Sequence, residues 1–229
     1  MPYNCSVPYS TLFFDLDDTL YPSSNGVWAA IRERMNQYMQ EMLGMPQEEI
    51  ATMRKRYFET YGTTLRGLQI HHQVDADEFL AYVHDLPIAQ MVKPDPALRV
   101  FLSGLKRKKF IFTNADIDHA GRVLAALGVS DCFDGIIDIR ALNFSCKPEP
   151  EAYQTAMRLA GECDPRRCIY LDDSPRNLAP AHDLGMFTIL VGREDQDPTA
   201  YRSLRRPHDL SQAMPELWMD NHKELGESR

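Results

Sequence analysis

Asp15-Leu16-Asp17-Asp18-Thr19 follows directly on the apolar run Leu12-Phe13-Phe14. Carboxylates at the end of an apolar run carry desolvation and repulsion costs, so their position asks for a chemical reason. Leu12 to Phe14 reads as a short buried strand. Side chains alternate along a strand, so Asp15 and Asp17 are expected on the same side. Two carboxylates held together repel, and a divalent cation with oxygen ligands relieves the repulsion. The competing reading is an Asp-rich turn in which these side chains cap backbone N–H groups.

Two later apolar runs end the same way. Phe110-Ile111-Phe112 leads into Thr113-Asn114-Ala115-Asp116, and Cys168-Ile169-Tyr170-Leu171 leads into Asp172-Asp173-Ser174. Between them, Lys147 precedes Pro148-Glu149-Pro150 and a helical pattern. In open α/β sheets, ligands bind outside the carboxyl ends of the parallel strands. Asp15, Asp17, Thr113, Asp172 and Asp173 are therefore expected around one crevice. A lysine near a helix start is disfavoured by the helix dipole, so Lys147 is expected to have an anionic partner. Thr113 taken alone reads as an ordinary β-branched strand residue.

The elements that must position these side chains follow from periodicity. Strands are predicted at about 11–15, 109–113, 135–139, 168–172 and 187–191. Helical patterns at 119–127, 150–160 and 175–184 separate the later strands and stop at Gly128, Gly161 and Gly185. Strand–helix alternation predicts an α/β fold with a doubly wound parallel sheet. A strand order 3-2-1-4-5 places the Asp15 and Asp172 strands side by side at the switch point. The stretch from Asp15 to Thr113 is far too long for one crossover, whose loops run about 2–6 residues around one helix. Within it, Val27, Ile31, Met35, Tyr38 and Met42 form an amphipathic stripe closed by Gly44. Ile50, Met53 and Tyr57 continue behind Pro46, and Asp75-x-x-Glu78 resembles a capping box before Phe79, Leu80 and Val83. Residues 22–92 read as an inserted all-helical cap, with 1–21 and 93–229 as the core. Leu210 and Leu217-Trp218 are expected to dock on that core, and 220–229 to be mobile.

The ordered motifs D-x-D-x-T at Asp15, the strand-end Thr113, Lys147-Pro148 and Asp172-Asp173-Ser174 resemble the haloacid dehalogenase superfamily of phosphohydrolases, over about residues 11–192. Phe13 to Tyr21, Arg66-Gly67-Leu68, Phe112-Thr113-Asn114-Ala115 and Cys146-Lys147-Pro148 resemble its pyrimidine 5'-nucleotidase branch more narrowly. The resemblance implies a Rossmann-like core with a C1-type cap, and Mg²⁺ as cofactor. It implies that Asp15 attacks phosphorus to form an aspartyl-phosphate. Asp17 would protonate the leaving oxygen and then deprotonate the attacking water. The Asp15 carboxylate, the Asp17 carbonyl and Asp173 would bind Mg²⁺, with Asp172 acting through water. Thr113 and Asn114 would donate hydrogen bonds to the phosphate, and Lys147 would supply a fixed positive charge. Asn177 stands where some members carry another Asp.

Composition narrows the class. The chain has 229 residues and 44% hydrophobic content, enough for an α/β domain plus a small second one. No apolar run is long enough to span a bilayer, and no signal peptide is expected. A net charge of −8 argues against a nucleic-acid partner. Lys106-Arg107-Lys108-Lys109 then reads as a solvated edge. Five scattered cysteines without a C-x-x-C spacing fit reduced thiols in a cytoplasmic protein.

The resemblance therefore implies a Mg²⁺-dependent phosphomonoester hydrolase acting on a small phosphorylated substrate, with pyrimidine nucleoside 5'-monophosphates expected. The alternatives are a phosphosugar phosphatase or phosphomutase on the same scaffold and, in another class, a catalytically silent binding protein. Intact Asp15, Asp17, Lys147 and Asp173 argue against the silent protein. A carbon–halogen hydrolase would have no use for Asp17 or the acids at 172 and 173. Tyr21, Arg66 and His71 are expected to choose the substrate, and His72 to be exposed.

Overall fold

The computed structural model describes residues 9–218, so the stretch 220–229 lies outside them. The chain opens on β1 (Thr11–Phe14), every residue of which is buried. A helical segment follows: α1 (Val27–Glu41), α2 (Gln47–Tyr61), α3 (Thr64–His72), α4 (Ala76–Val83) and the single turn α5 (Ile88–Met91). The chain continues through α6 (Pro96–Gly104), β2 (Lys108–Phe112), α7 (Ile117–Leu127), β3 (Gly135–Ile137) and α8 (Pro150–Leu159). It ends in β4 (Cys168–Asp172), α9 (Pro175–Asp183), β5 (Phe187–Val191), β6 (Arg202–Leu204) and α10 (Leu210–Ala213).

The strands form one six-stranded sheet in the order β3-β2-β1-β4-β5-β6, and every adjacent pair is parallel. The expected order is present, with β6 added at the edge. Its sequence Arg-Ser-Leu has no apolar run; what holds it is pairing of Arg202 opposite Ile189. The third strand is shorter than predicted. Asp138 ends it, because its carboxylate accepts the backbone N–H groups of Ile117 and Ala141 and turns the chain.

Both faces of the sheet are covered, which is why its central strands read as continuous apolar runs. On one face Leu12, Phe14, Ile111 and Leu171 pack against Leu98 and Leu102 of α6 and Val123 and Leu124 of α7. On the other, Phe13, Phe112 and Tyr170 pack against Tyr153 and Ala156 of α8 and Leu178 of α9. The tail docks as expected: Leu210 and Leu217 are buried in the first layer, and Trp218 lies 5.3 Å from Phe101, centroid to centroid.

The inserted helices have their own core of Tyr38, Met39, Ile50, Tyr57, Leu68, Phe79 and Leu80. Asp75 caps α4 by accepting the Glu78 N–H at 2.9 Å. Gly67 has a packing reason: a Cβ there would lie 2.2 Å from Tyr57 Cγ, so α3 lies directly on the α2 ring. Ile139 and Cys146 from the sheet layer join this core. Arg140 pairs with Asp77 at 2.6 Å, and Arg176 donates to the Phe58 carbonyl at 2.9 Å. The insert is thus seated over the strand-end loops, while Ile88 and Val92 pack with the sheet instead. No helix among the described residues is long and apolar enough to cross a membrane.

Candidate active site

Register places the acids. Phe14 lies opposite Leu171 across the β1–β4 pair, and the Asp15 N–H donates to the Leu171 carbonyl at 2.8 Å. Asp15 and Asp172 therefore leave their strands side by side. Asp15, Asp172 and Asp173 bring one carboxylate oxygen each within 4.8 Å of the others. Thr19, from the same turn as Asp15, donates to Asp15 Oδ2 at 3.1 Å and has its Oγ1 3.5 Å from Asp173 Oδ1. That turn is tight: Asp18 sits at φ 60, a left-handed conformation that Asp tolerates better than most residues.

Lys147 fulfils the expectation of an anionic partner. Its Nζ donates to Asp15 Oδ1 at 2.6 Å, to Asp172 Oδ2 at 3.1 Å and to the Phe112 carbonyl at 2.9 Å. The side chain is 1% exposed, so all three ammonium donors are spent inside the protein. Burial pushes this ammonium down, but Asp15 and Asp172 more than restore it and keep it charged. Asn114 holds the loop that presents it. Asn114 Oδ1 accepts the Lys147 N–H at 2.9 Å and Nδ2 donates to the Lys147 carbonyl at 3.0 Å. The Asn114 amide thus positions Lys147, and the second hydrogen on Nδ2 has no partner among the described residues. Thr113 is buried; its Oγ1 accepts the Ala115 N–H at 3.0 Å, which leaves the hydroxyl hydrogen for another acceptor.

The neighbouring acids Asp172 and Asp173 have different surroundings. Asp172 is fully buried and accepts from Lys147, the Ser174 N–H at 2.8 Å, Asn177 Nδ2 at 3.1 Å and the Tyr170 hydroxyl. Its lone pairs are taken by protein donors, and Asn177 is one of them. Asp173 is half-buried, and among the described residues the one side-chain contact to its carboxylate is the long one from Thr19. Burial pushes Asp173 up to about 7, and Asp172 and Asp18 add to the rise. Burial also lifts Asp15 well above the usual carboxylate range; Lys147 opposes this, while Asp172 and Asp173 reinforce it. The site holds more negative charge than Lys147 neutralises. A hard divalent cation with oxygen ligands fits this donor set.

Asp17 lies outside that cluster. Its Oδ1 accepts from the Tyr21 hydroxyl and lies 2.8 Å from His119 Nε2. Burial would raise Asp17, yet His119 and Tyr21 hold it below its ordinary value. Tyr21 was expected to face the substrate. It is 3% exposed and packs in the sheet layer with Leu20 and Val27; its hydroxyl donates to Asp17, and it also lines a cavity beside Asp173. Neither His119 nor its neighbour His84 is evident from the sequence as a site residue. The one available signal was position: His119 precedes Ala120 and sits four before Val123 on the buried face of α7, where a histidine needs a polar partner.

Arg66 is exposed on α3. It lies within electrostatic reach of the loop carrying Lys147: burial lifts the Cys146 thiol to about 11, and Arg66 is among the groups opposing that rise. His71 is exposed but not free. Its ring stacks on Tyr57 at 5.3 Å, and Nε2 lies 2.7 Å from the Tyr61 hydroxyl. His72 is exposed too, with Nε2 2.8 Å from the Tyr57 hydroxyl. A cavity of about 520 Å³ opens beside Asp173 and Thr19 and is bordered by Arg193, Arg206 and His208.

Comparison with known proteins bears on the family and the fold. The chain is 29% identical over 214 residues to phosphate metabolism protein 8 of Saccharomyces cerevisiae, covering 87% of this chain and 67% of that protein. It is 26% identical over 198 residues to a glyceraldehyde 3-phosphate phosphatase of Methanothermobacter thermautotrophicus, covering 80% and 85%. The crystal structure of a HAD phosphatase from Thermococcus onnurineus superposes with a TM-score of 0.60 at 18% identity, covering 89% of this chain and 97% of that one. The last likeness speaks to the fold alone. The family model described as haloacid dehalogenase-like hydrolase matches residues 9–185. On this match and the strand-end carboxylates, the chain belongs to the haloacid dehalogenase-like hydrolases.

Proposed function

We propose that the protein is a Mg²⁺-dependent phosphomonoesterase that works through an aspartyl-phosphate on Asp15, with pyrimidine nucleoside 5'-monophosphates as substrates. The observation that carries the reaction class is the state of Asp15. Its two oxygens are held by Lys147 at 2.6 Å and Thr19 at 3.1 Å, at a strand end where a phosphoryl group can approach. A carboxylate fixed in this way is a pre-oriented nucleophile. Asp15 attacks phosphorus, and the bond from phosphorus to the leaving oxygen breaks as Asp17, which takes up a proton once the phosphoryl charge lies beside it, gives that oxygen the proton. Water then attacks phosphorus, Asp17 takes the water proton, and the bond to Asp15 breaks to release phosphate. Lys147 and the Thr113 hydroxyl supply the positive charge and the hydrogen bond for the phosphoryl oxygens. Asp15, Asp173 and the Asp17 main-chain carbonyl would hold Mg²⁺, which when bound neutralises phosphoryl charge. Residues 22–92 serve as the cap that closes over the leaving group.

The nucleotide assignment rests on the motifs shared with the pyrimidine 5'-nucleotidase branch and on Arg66 lying near the Lys147 loop. A second reading, a phosphosugar phosphatase, is favoured by the likeness to the archaeal glyceraldehyde 3-phosphate phosphatase. Phosphate release from UMP, CMP, AMP, glyceraldehyde 3-phosphate and hexose phosphates separates the two. The highest kcat/KM is expected on UMP or CMP. A profile led by a sugar phosphate would replace the substrate assignment, and no release from any of them would favour a silent binding protein.

Three predictions belong to this reading. Chelation is expected to abolish activity, and Ca²⁺ to restore little of it, because its longer bonds and larger ligand shell misalign Asp15. Asp173→Ala should raise the Mg²⁺ concentration for half-maximal activity more than Asp172→Ala does. Asp172→Ala should instead cost roughly 1–3 kcal/mol of stability, since it strands the buried donors of Tyr170, Asn177 and Ser174. Magnesium titrations and thermal melts of both variants check the ranking; the reverse order would exchange their roles. Arg66→Ala should lower kcat/KM at least about tenfold on UMP and little on p-nitrophenyl phosphate, because remote contacts are used for orientation. Equal losses on both would assign Arg66 to the phosphate or the fold.

A further inference from the structure

Asp17 Oδ1 accepts two hydrogen bonds, from the Tyr21 hydroxyl and from His119 Nε2 at 2.8 Å. Its other oxygen, Oδ2, has no partner among the described residues and is the one free to exchange a proton. His119 is 0% exposed, and its Nδ1 has no hydrogen-bond partner among the described residues. Nothing polar therefore fixes the outer edge of this ring. A second ring lies on its face: His84 stacks on His119 with centroids 4.3 Å apart and planes 19° apart.

His84 comes from the other part of the molecule. It is the residue after α4, in the helical segment inserted between β1 and β2, and it is buried. Its Nδ1 lies 2.6 Å from Asp116 Oδ2, and its carbonyl accepts from Arg122 at 2.9 Å. Asp116 in turn caps α7 by accepting the His119 N–H at 2.7 Å. Asp116 and Arg122 belong to the sheet layer, as does His119. The insert thus contributes one ring to a buried polar cluster whose far end is the Asp17 carboxylate. Such clusters fix geometry when every member is held, and lose it when one is removed.

We propose that His119 is a positioning residue for Asp17, and that His84 makes this positioning depend on how the insert is seated on the sheet. The inference rests on the reading of Asp17 as the proton donor to the leaving oxygen. Rotation of the Asp17 carboxylate would move Oδ2 away from that oxygen. His119 and Tyr21 together block the rotation by holding Oδ1. His84 keeps the His119 ring in the plane from which Nε2 reaches Asp17. With the insert lifted, the ring loses its stacking partner and the clamp loosens.

The test is leaving-group dependence, which a merely structural role does not move. p-Nitrophenyl phosphate leaves as a stable anion and needs little protonation, whereas phenyl phosphate, of the same shape, needs a proton. His119→Ala is expected to lower kcat/KM on phenyl phosphate at least about tenfold more than on p-nitrophenyl phosphate. His119→Gln, which retains a donor near the Nε2 position, should restore most of the difference. His84→Ala should show the same selective loss at smaller size, and His84→Phe, which keeps a ring on that face, should not. If His119→Ala does not fold, His119→Phe against His119→Gln gives the same comparison. Equal losses on both substrates, or no loss at all, would overturn the proposal. Asp17→Asn separates the two levels of inference. Wild-type rates on both substrates in Asp17→Asn would remove the acid–base reading of Asp17 and the proposal with it. A selective loss in Asp17→Asn that His119→Ala lacks would remove the proposal alone.

Discussion

Asp15→Asn is expected to lower phosphate release by on the order of 10⁴-fold or more while leaving the melting temperature within a few degrees of wild type. The substitution keeps the shape and removes the nucleophilic charge. Among the described strand-end acids none replaces it: Asp172 is saturated by protein donors, Asp17 has Oδ1 tied to Tyr21 and His119, and Asp173 keeps only a long contact to Thr19. Stability should survive for a reason visible in the same cluster. Asp15 is lifted well above its ordinary range, first by burial and then by Asp172 and Asp173, so its charge is held at a cost that the amide does not carry. Lys147 keeps Asp172 and the Phe112 carbonyl as partners. Phosphate release beside a thermal melt checks both halves. Substantial turnover by a folded Asp15→Asn protein would falsify covalent catalysis by this residue.

Lys147→Met is expected to be damaging in both respects. Removing one partner of a buried ion pair leaves the other uncompensated and typically costs about 3–5 kcal/mol. Here two buried carboxylates lose their shared cation, so Asp15 and Asp172 face one another directly. For a chain of this length, a drop of roughly 6–20 °C in melting temperature follows, at about 2–4 °C per kcal/mol. Activity should fall by at least about 10²–10³-fold, as it does when a preorganised group on developing charge is lost. Adding Asp15→Asn to Lys147→Met should recover part of the lost stability and none of the activity, because it removes one of the stranded charges. A Lys147→Met protein that melts with the wild type would mean that solvent or relaxation neutralises the acids without the lysine.

The two variants also separate what was legible in the sequence from what was not. Asp15, Asp172 and Asp173 were readable as a group because each ends an apolar run, and parallel strands present such ends to one edge. Lys147 was readable through its position before a helix. The strand order and the long helical insert followed from alternation and from an interval too long for one crossover. Those signals are local: period, run length and turn residues lie within a few positions of one another. The edge strand β6 escaped because its three residues have no pattern of their own and exist as a strand only beside β5.

Tertiary structure alone decided how the acids divide their work. Adjacent in sequence, Asp172 and Asp173 differ because one meets Tyr170, Asn177 and Lys147 while the other, among the described residues, has a single long side-chain contact to Thr19. Asn114 holds the Lys147 backbone across 33 positions of sequence, and His119 meets Asp17 across 102. Tyr21 lies four residues from Asp17, yet only the docking of the insert against the sheet turns its hydroxyl inward. His84 and His119 come from separate layers and stack only once those layers have packed. The sequence by itself determined which residue types stand at the strand ends and hence the class of chemistry. Which hydrogen bond each of them makes was set by partners brought together from distant parts of the chain, because a buried polar atom takes whatever donor the fold places within reach.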